Sequence, residues 1–191
     1  MTVTLSVFPL GHHVFPGGRL ALRIFEPRYI RMVRDSFSTP KGFVMAMKNS
    51  LQGKDPEKNV YPVATWVQVV DFAVLDDGML GIVVEGVRKV EINTIQVESD
   101  GLRKAKVTEL ESWSQETESD PLLSDKLTQV FREFPELENL YQNPCLDSAS
   151  WVCLRWLEVL PLPSELKHAL IARPDHLQAE HFLKELIGHT G

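Results

Sequence analysis

Hydrophobic residues alternate with other side chains over most of the first 110 positions, which is the period of a half-buried β-strand. Asp76-Asp77-Gly78 separates two of these runs and predicts a tight hairpin turn. Gly86 interrupts a later run and predicts a bend or bulge. The pattern predicts strands over residues 3–8, 20–25, 42–47, 63–75, 79–84, 87–97 and 102–110.

One helix is predicted among these strands, from Pro27 to about Phe37. Proline suits the first helical position, and the acid before it, Glu26, favours the positive end of the helix dipole. The helical period predicts a buried stripe at Ile30, Val33 and Phe37. Six or seven strands and this helix indicate a partly closed, barrel-like β domain.

After Leu110 the hydrophobic period becomes helical. Residues 112–120 are polar and acidic without periodicity, so they predict a linker. Four amphipathic segments follow, and Asp147-Ser148 is expected to cap the second. We therefore predict an α+β protein, with a β-rich part at 1–111, a linker at 112–120 and a small helical bundle at 121–191.

Composition is that of a globular protein, with 43% hydrophobic and 24% charged residues. No apolar run is long enough to span a membrane, and the N-terminus lacks the pattern of a secretory leader. Cys145 and Cys153 are the two cysteines, without a CxxC spacing, so we expect a reducing cytoplasm. The net charge of -6 is uneven: residues 1–108 carry 14 basic and 11 acidic groups, and residues 109–191 carry 6 and 15.

Motifs of common catalytic and cofactor sites are missing from the sequence. It contains no P-loop, no GxGxxG after a strand and no GxSxG. His12 and His13 are adjacent and diverge, while His176 and His181 are five apart, which misses the helical spacing of a zinc pair. We read these histidines as surface or partly packed, and expect no metal, no cofactor and no catalytic residue.

The chemically conspicuous stretch is residues 6–34. It holds five of the ten arginines, and all five lie between Arg19 and Arg34 among the aromatic residues Phe8, Phe15, Phe25 and Tyr29. Arginines interleaved with aromatic rings can bind nucleic acid. They can equally fix a strand to a helix, with Glu26 as the nearest anion.

The string IFEPRY at residues 24–29, preceded by FPG at 15–17, closely resembles the N-terminal domain of Lon proteases. Weaker agreement continues through Gly42-Phe43, the strand from Val63 to Val70, and the LPLPSELK corner at residues 160–167. This resemblance implies a PUA-like barrel for the β part. It also implies a domain that recognises substrate polypeptides, here without the ATPase and Ser-Lys protease modules, as in stand-alone Lon-domain proteins.

The function that this resemblance implies is a non-catalytic polypeptide-binding or adaptor module. Its expected partners are unfolded or exposed polypeptide segments, with a separate protease or chaperone as a further candidate. Oligomerisation as a subunit-interface module stays open. The alternative is an RNA-binding PUA-like module, although the acidic chain makes nucleic acid the less favoured partner. We expect polypeptide contacts at Phe15, Arg23, Phe25 and Tyr29, and a basic patch at Arg28, Arg31 and Arg34.

Overall fold

The computed structural model describes residues 2–189 of the chain. The chain divides after Leu110 into two compact units. We call residues 2–110 the β unit and residues 111–189 the helical unit.

The observed elements follow the predicted order. The β unit contains β1 (Thr2–Leu10), β2 (Arg19–Ile24), α1 (Pro27–Asp35), β3 (Phe43–Met47), β4 (Val63–Val74), β5 (Leu80–Val97) and β6 (Arg103–Glu109). The helical unit contains α2 (Pro121–Glu133), α3 (Pro135–Glu138), α4 (Ala149–Val159), α5 (Ser164–Ile171) and α6 (Leu177–Gly188). One difference is that the predicted strands on either side of Gly86 form a single strand, β5.

The six strands form one sheet in the order β2-β5-β4-β3-β1-β6. β6 also pairs with β5, so five of the strands close into a ring while β2 remains outside it. β1 and β3 are parallel, and every other pair is antiparallel. With helices present in both units, the α+β fold class is confirmed.

The sheet carries an apolar cluster on each of its faces. One cluster draws residues from all five ring strands, including Val7 and Val107. The other includes Phe43 and packs against Met32 and Val33 of α1. β3 lies between both clusters and is buried along its whole length, which is why its sequence is continuously hydrophobic.

The buried side of α1 differs in part from the predicted stripe. Val33 is buried as predicted, but Ile30 and Phe37 are exposed, and that part of the prediction was wrong. Met32 is buried instead, and Tyr29 packs its ring against the sheet. These three inward residues keep helical spacing, so the amphipathic period was right and its phase was not.

Gly86 allows the close approach of two backbone segments. A Cβ atom at this position would lie 2.1 Å from the carbonyl oxygen of Phe15. Gly17 donates its N–H to the Gly86 carbonyl oxygen at 2.8 Å, and Gly86 donates to the carbonyl of Gly18 at 2.8 Å. The register of β4 against β5 shifts beside this glycine, so the predicted bulge is confirmed.

The helical unit is held by apolar packing among α2, α4 and α6, whose Leu127, Leu157 and Leu183 are fully buried. Ser148 accepts a hydrogen bond from the N–H of Trp151 at the start of α4, which confirms the predicted cap.

The segment 112–120, expected as a linker, is joined to the helical unit by hydrogen bonds. Trp113 is buried, and its indole N–H donates to the carbonyl of Arg173 at 2.8 Å. The backbone of Thr117 accepts from Ala149 at 2.9 Å. The hydrogen bonds of Trp113 and Thr117 therefore attach the segment to the helical unit at two positions.

Candidate functional site

A groove of about 740 Å³ lies in the β unit where β2 passes into α1. Its walls come from the end of β1, from β2, from the first turn of α1, from residues 48–54 and from the start of β6. Segments far apart in sequence therefore meet here, and we call this the corner groove.

Phe25 is the most exposed aromatic side chain of the corner groove, with 65% of its surface accessible. It lies between the end of β2 and the start of α1. The preceding residue, Ile24, is buried in the core, and Pro27 opens the helix two residues later. Ile24 and Pro27 therefore constrain the backbone on both sides of Phe25, and its ring is exposed at the corner between β2 and α1.

Tyr29 forms part of the groove floor and is half-buried. Its ring meets the ring of Phe8 edge to face, with centroids 4.5 Å apart, and the guanidinium carbon of Arg28 lies 4.9 Å from its centroid. Burial raises the pKa of the Tyr29 phenol, while the charges of Arg28 and Arg103 oppose that rise. The phenol is neutral at physiological pH and offers apolar surface with a polar tip.

Charges around the corner groove are predominantly positive. One carboxylate, that of Glu26, lies among five cationic side chains: Arg23, Arg28, Lys48, Lys54 and Arg103. Glu26 pairs with Arg28 at 2.6 Å, and Arg23 pairs with Asp77. Lys48, Lys54 and Arg103 form no ion pair with another residue of the described range 2–189.

Arg103 is the least solvated of these three cations. As the first residue of β6 it shares a strand face with the buried Ala105, yet it remains half-buried at the strand end. Its Nη1 donates to Oδ1 of Asn59 at 2.7 Å. Burial lowers the pKa of Arg103; Tyr29 opposes this effect and the charge of Arg28 adds to it. A guanidinium keeps its proton at neutral pH, so a positive charge lies inside the groove beside a neutral amide.

The predicted polypeptide-binding residues separate into two groups. Arg23, Phe25 and Tyr29 meet in the corner groove. Phe15 lies in the core, 2% exposed, and its ring is therefore unable to meet a ligand. Phe15 therefore does not line the corner groove.

The predicted basic patch is largely neutralised. Arg31 pairs with Glu98 at 2.5 Å and with Asp100 at 2.7 Å, which joins α1 to the turn between β5 and β6. Arg34 pairs with its neighbour Asp35 at 3.0 Å. Of the three patch residues, Arg28 alone lines the corner groove, and its charge is offset by Glu26.

Sequence reasoning missed the other groove cations, Lys48, Lys54 and Arg103. The two lysines lie between the predicted strands 42–47 and 63–75, and Arg103 lies at a strand end nearly eighty positions after Phe25. Strand pairing brings them together, because β1 lies between β3 and β6. Nothing in the local sequence around any of them signals this meeting.

A second apolar surface lies at the end of the β4–β5 hairpin. We call its exposed residues Phe37, Val70, Phe72 and Val74 the hairpin surface. The rings of Phe37 and Phe72 meet edge to face at 6.1 Å. Phe72 is 65% exposed, the same fraction as Phe25, so the two surfaces offer a matched pair of aromatic side chains.

Ser150, His176 and Glu180 lie in a serine–histidine–carboxylate order inside the helical unit. The hydroxyl oxygen of Ser150 is 3.4 Å from Nδ1 of His176, whose Nε2 is 3.6 Å from Glu180. Ser150 is fully buried, and its hydroxyl donates to the carbonyl of Ser114. A substrate has no access to this hydroxyl, so we interpret the group as packing. His176 is buried, which corrects the expectation of a surface or partly packed residue.

Among residues 2–189, three or more histidine, cysteine or acidic side chains never converge in the manner of a metal site. No helix in this range combines the length and apolar character needed to cross a membrane. Cys145 is exposed and Cys153 is buried. Burial raises the pKa of the Cys153 thiol to about 12, which is the behaviour of a small hydrophobic residue rather than a nucleophile.

Two of the solved structures that share the fold are Lon N-terminal domains. A Lon N-terminal domain protein from Xanthomonas campestris is 28% identical, with a TM-score of 0.70, covering 97% of this chain and 98% of that one. The N-terminal domain of a Mycobacterium avium complex Lon protease is 14% identical with a TM-score of 0.64, at the same coverages, and shows likeness of fold alone. A comparison with curated proteins finds no match.

Residues 4–178 match the family model described as the ATP-dependent protease La (LON) substrate-binding domain. That match covers both units, and no ATPase or protease module is matched. The resemblance carried by IFEPRY and FPG is thereby confirmed. The chain belongs to the family of Lon substrate-binding domains.

Proposed function

We propose that this protein binds unfolded or exposed polypeptide segments in the corner groove, as a module without catalytic activity of its own. Membership of a substrate-binding domain family supports this function. By holding a segment of another chain, the protein would act as an adaptor for a separate protease or chaperone. Two cysteines that form no disulfide fit action in the cytoplasm.

The observation that carries the proposal is the exposed ring of Phe25 above an apolar floor. Large aromatic side chains held rigidly lose little entropy on binding and dominate the affinity of many interfaces. Tyr29 and Leu22 extend the apolar surface inward from Phe25. An extended segment placing one apolar side chain in the groove would cover all three.

RNA binding has less support. The clustered arginines, together with the PUA-like architecture that the resemblance implies, suggest RNA binding, but Arg31 and Arg34 are each paired with carboxylates. Affinity for a phosphate backbone grows with the number of cations available to it. Pairing within the protein removes these two from that number.

The test measures binding of a permanently unfolded chain, such as reduced and carbamidomethylated lactalbumin, by fluorescence anisotropy. Wild-type protein should bind it and should ignore the native, disulfide-bonded form. Phe25→Ala should weaken binding about tenfold, corresponding to about 1.4 kcal/mol lost from one central aromatic contact.

Phe72→Ala is the matched control, because it removes an equally exposed ring from the hairpin surface. Its affinity should stay within about twofold of wild type. Thermal melting of both variants verifies that they fold. No binding by the wild-type protein, or an equal loss in both variants, would contradict the assignment to the corner groove.

A further inference from the structure

Resting on the proposed function, we infer that the corner groove selects polypeptide segments in which carboxylate side chains flank an aromatic or large apolar residue. The apolar residue meets Phe25 and Tyr29, and the carboxylates pair with Arg103, Lys48 and Lys54. The inference specifies a class of segment: acidic and aromatic rather than merely unfolded.

The first support is the charge balance of the groove. Five cations and one carboxylate line it, in a chain whose net charge is -6. A positive groove on an acidic protein attracts anionic segments and repels basic ones. The groove thus differs in sign from the protein as a whole.

The second support is that the groove cations are incompletely satisfied. Arg103 hydrogen-bonds the neutral side chain of Asn59, forms no ion pair with another residue of the range 2–189, and lies close enough to Arg28 to feel the repulsion of a second positive charge. A guanidinium has five N–H donors, and a partly buried charge is costly without an opposite one. A ligand carboxylate would supply the missing partner and could bind the planar guanidinium through two hydrogen bonds.

The third support is the distribution of the cations over separate segments. Arg103 belongs to β6, while Lys48 and Lys54 flank the short 3-10 turn Ser50–Gln52. A single chain terminus carries one carboxylate. Side-chain carboxylates spaced along a segment can pair with more than one of these cations, so we assign the site to internal acidic residues.

The experiment compares two peptides, both N-acetylated and C-amidated so that their termini carry no charge. The first alternates Asp and Glu with Phe and Leu; the second replaces every acid by Asn or Gln. Wild-type protein should bind the acidic peptide about tenfold more tightly, as expected for a few charge-assisted contacts. Raising the salt concentration should narrow this difference.

Variants assign the preference to residues. Arg103→Gln, and separately the double variant Lys48→Gln/Lys54→Gln, should each reduce the preference for the acidic peptide while retaining binding of the neutral one. Arg103→Lys should restore part of it. Lys106→Gln is the matched control: it removes one positive charge from an exposed position of the same strand and should leave the preference unchanged. Because Lys48 and Lys54 are exposed, the double variant tests the inference even where Arg103→Gln fails to fold.

The outcomes separate the two proposals. Equal binding of both peptides overturns the acidic preference and leaves polypeptide binding standing. Binding of neither peptide overturns both. A preference that survives the groove variants but is lost in Lys106→Gln overturns the assignment to this groove. Tighter binding of a single-stranded RNA, lost in the same groove variants, would identify phosphates as the ligand and contradict the inference.

Discussion

The β unit carries two groups of cations with opposite surroundings. Arg31 and Arg34 crowd one helix and are conspicuous in the sequence, yet each is paired with a carboxylate. Lys48, Lys54 and Arg103 are scattered in the sequence, yet they meet in the corner groove without ion pairs among the described residues. The arginines that are dense in the sequence are thus engaged in ion pairs within the protein. The cations that a ligand could pair with are those of the corner groove.

This difference follows from what surrounds each group in the fold. α1 lies beside the turn between β5 and β6, whose Glu98 and Asp100 face Arg31. The corner groove has one carboxylate, that of Glu26, and it forms an ion pair with Arg28. We expect the first group to contribute to stability and the second to contribute to binding.

The largest effect should come from reversing the charge of a groove cation. Arg103→Glu replaces attraction by repulsion, so affinity for the acidic peptide should fall about a hundredfold, or about 2.7 kcal/mol. Arg28 lies close enough to influence Arg103 electrostatically and would give the new carboxylate a cationic neighbour, so the fold should persist. Fluorescence anisotropy measures the affinity.

Arg34→Glu makes the same change of charge in the paired group of arginines on α1. Its side chain is 74% exposed and its partner is the adjacent Asp35. Binding should change by about twofold or less. An equal loss in both variants would erase the distinction between the two groups.

A smaller effect, on stability rather than binding, is expected when Arg31 is neutralised. Arg31→Gln removes the contacts that join α1 to the β5–β6 turn. The urea midpoint should fall slightly but measurably, while peptide affinity stays at the wild-type level. The comparison variant is Arg34→Gln, for which we expect no shift, because an exposed pair between neighbouring residues adds little. If Arg31→Gln kept the wild-type urea midpoint but bound the peptide more weakly, Arg31 would contribute to binding and not to stability, which would contradict its assignment.

The smallest effect concerns pH. The N–H of Leu102, followed by Arg31, holds the pKa of Asp100 below its ordinary value. A lowered folded-state pKa adds stability above the unfolded-state pKa of about 4, and this addition is lost as the pH falls through the folded-state value. The excess stability of wild type over Asp100→Asn should therefore be greatest near neutrality and shrink below about pH 4. Urea titrations at several pH values measure it, and a constant difference would argue against the pairing.

The sequence predicted the fold of the β unit closely because its signals are local. Asp76-Asp77-Gly78 forms the turn that connects β4 to β5, and Pro27 is the first residue of α1, as predicted. Gly86 lies beside the register shift between β4 and β5, and a glycine inside a strand pattern is the local signal of such a bulge. Each of these effects acts within a few residues or on a single backbone position.

The phase of α1 was harder to predict. The sequence from Pro27 to Phe37 is apolar at Ile30, Met32, Val33 and Phe37, which allows more than one inward face, although the helix itself ends at Asp35. The sheet selects Met32 and Val33 and leaves Phe37 to meet Phe72 on the hairpin surface. The inward face of α1 is therefore determined by tertiary packing and cannot be read from the local sequence pattern.

The sequence pointed to some of the residues that line the corner groove and missed others. Arg23, Phe25 and Tyr29 share one stretch with the motif that identified the family, so the sequence pointed to them. Lys48, Lys54 and Arg103 join them through strand order. Phe15 was included for its place in the same motif, although its ring is needed in the core.

Binding in the corner groove is tested most directly by an amide chemical-shift titration of ¹⁵N-labelled protein with the capped acidic peptide. We expect saturable shifts confined to residues 22–29, 48–54 and 59 and to the start of β6 around Arg103. With the neutral peptide we expect weaker shifts at residues 22–29. Shifts centred on the hairpin surface or on α2 to α6, or none with either peptide, would contradict the corner groove as the binding site.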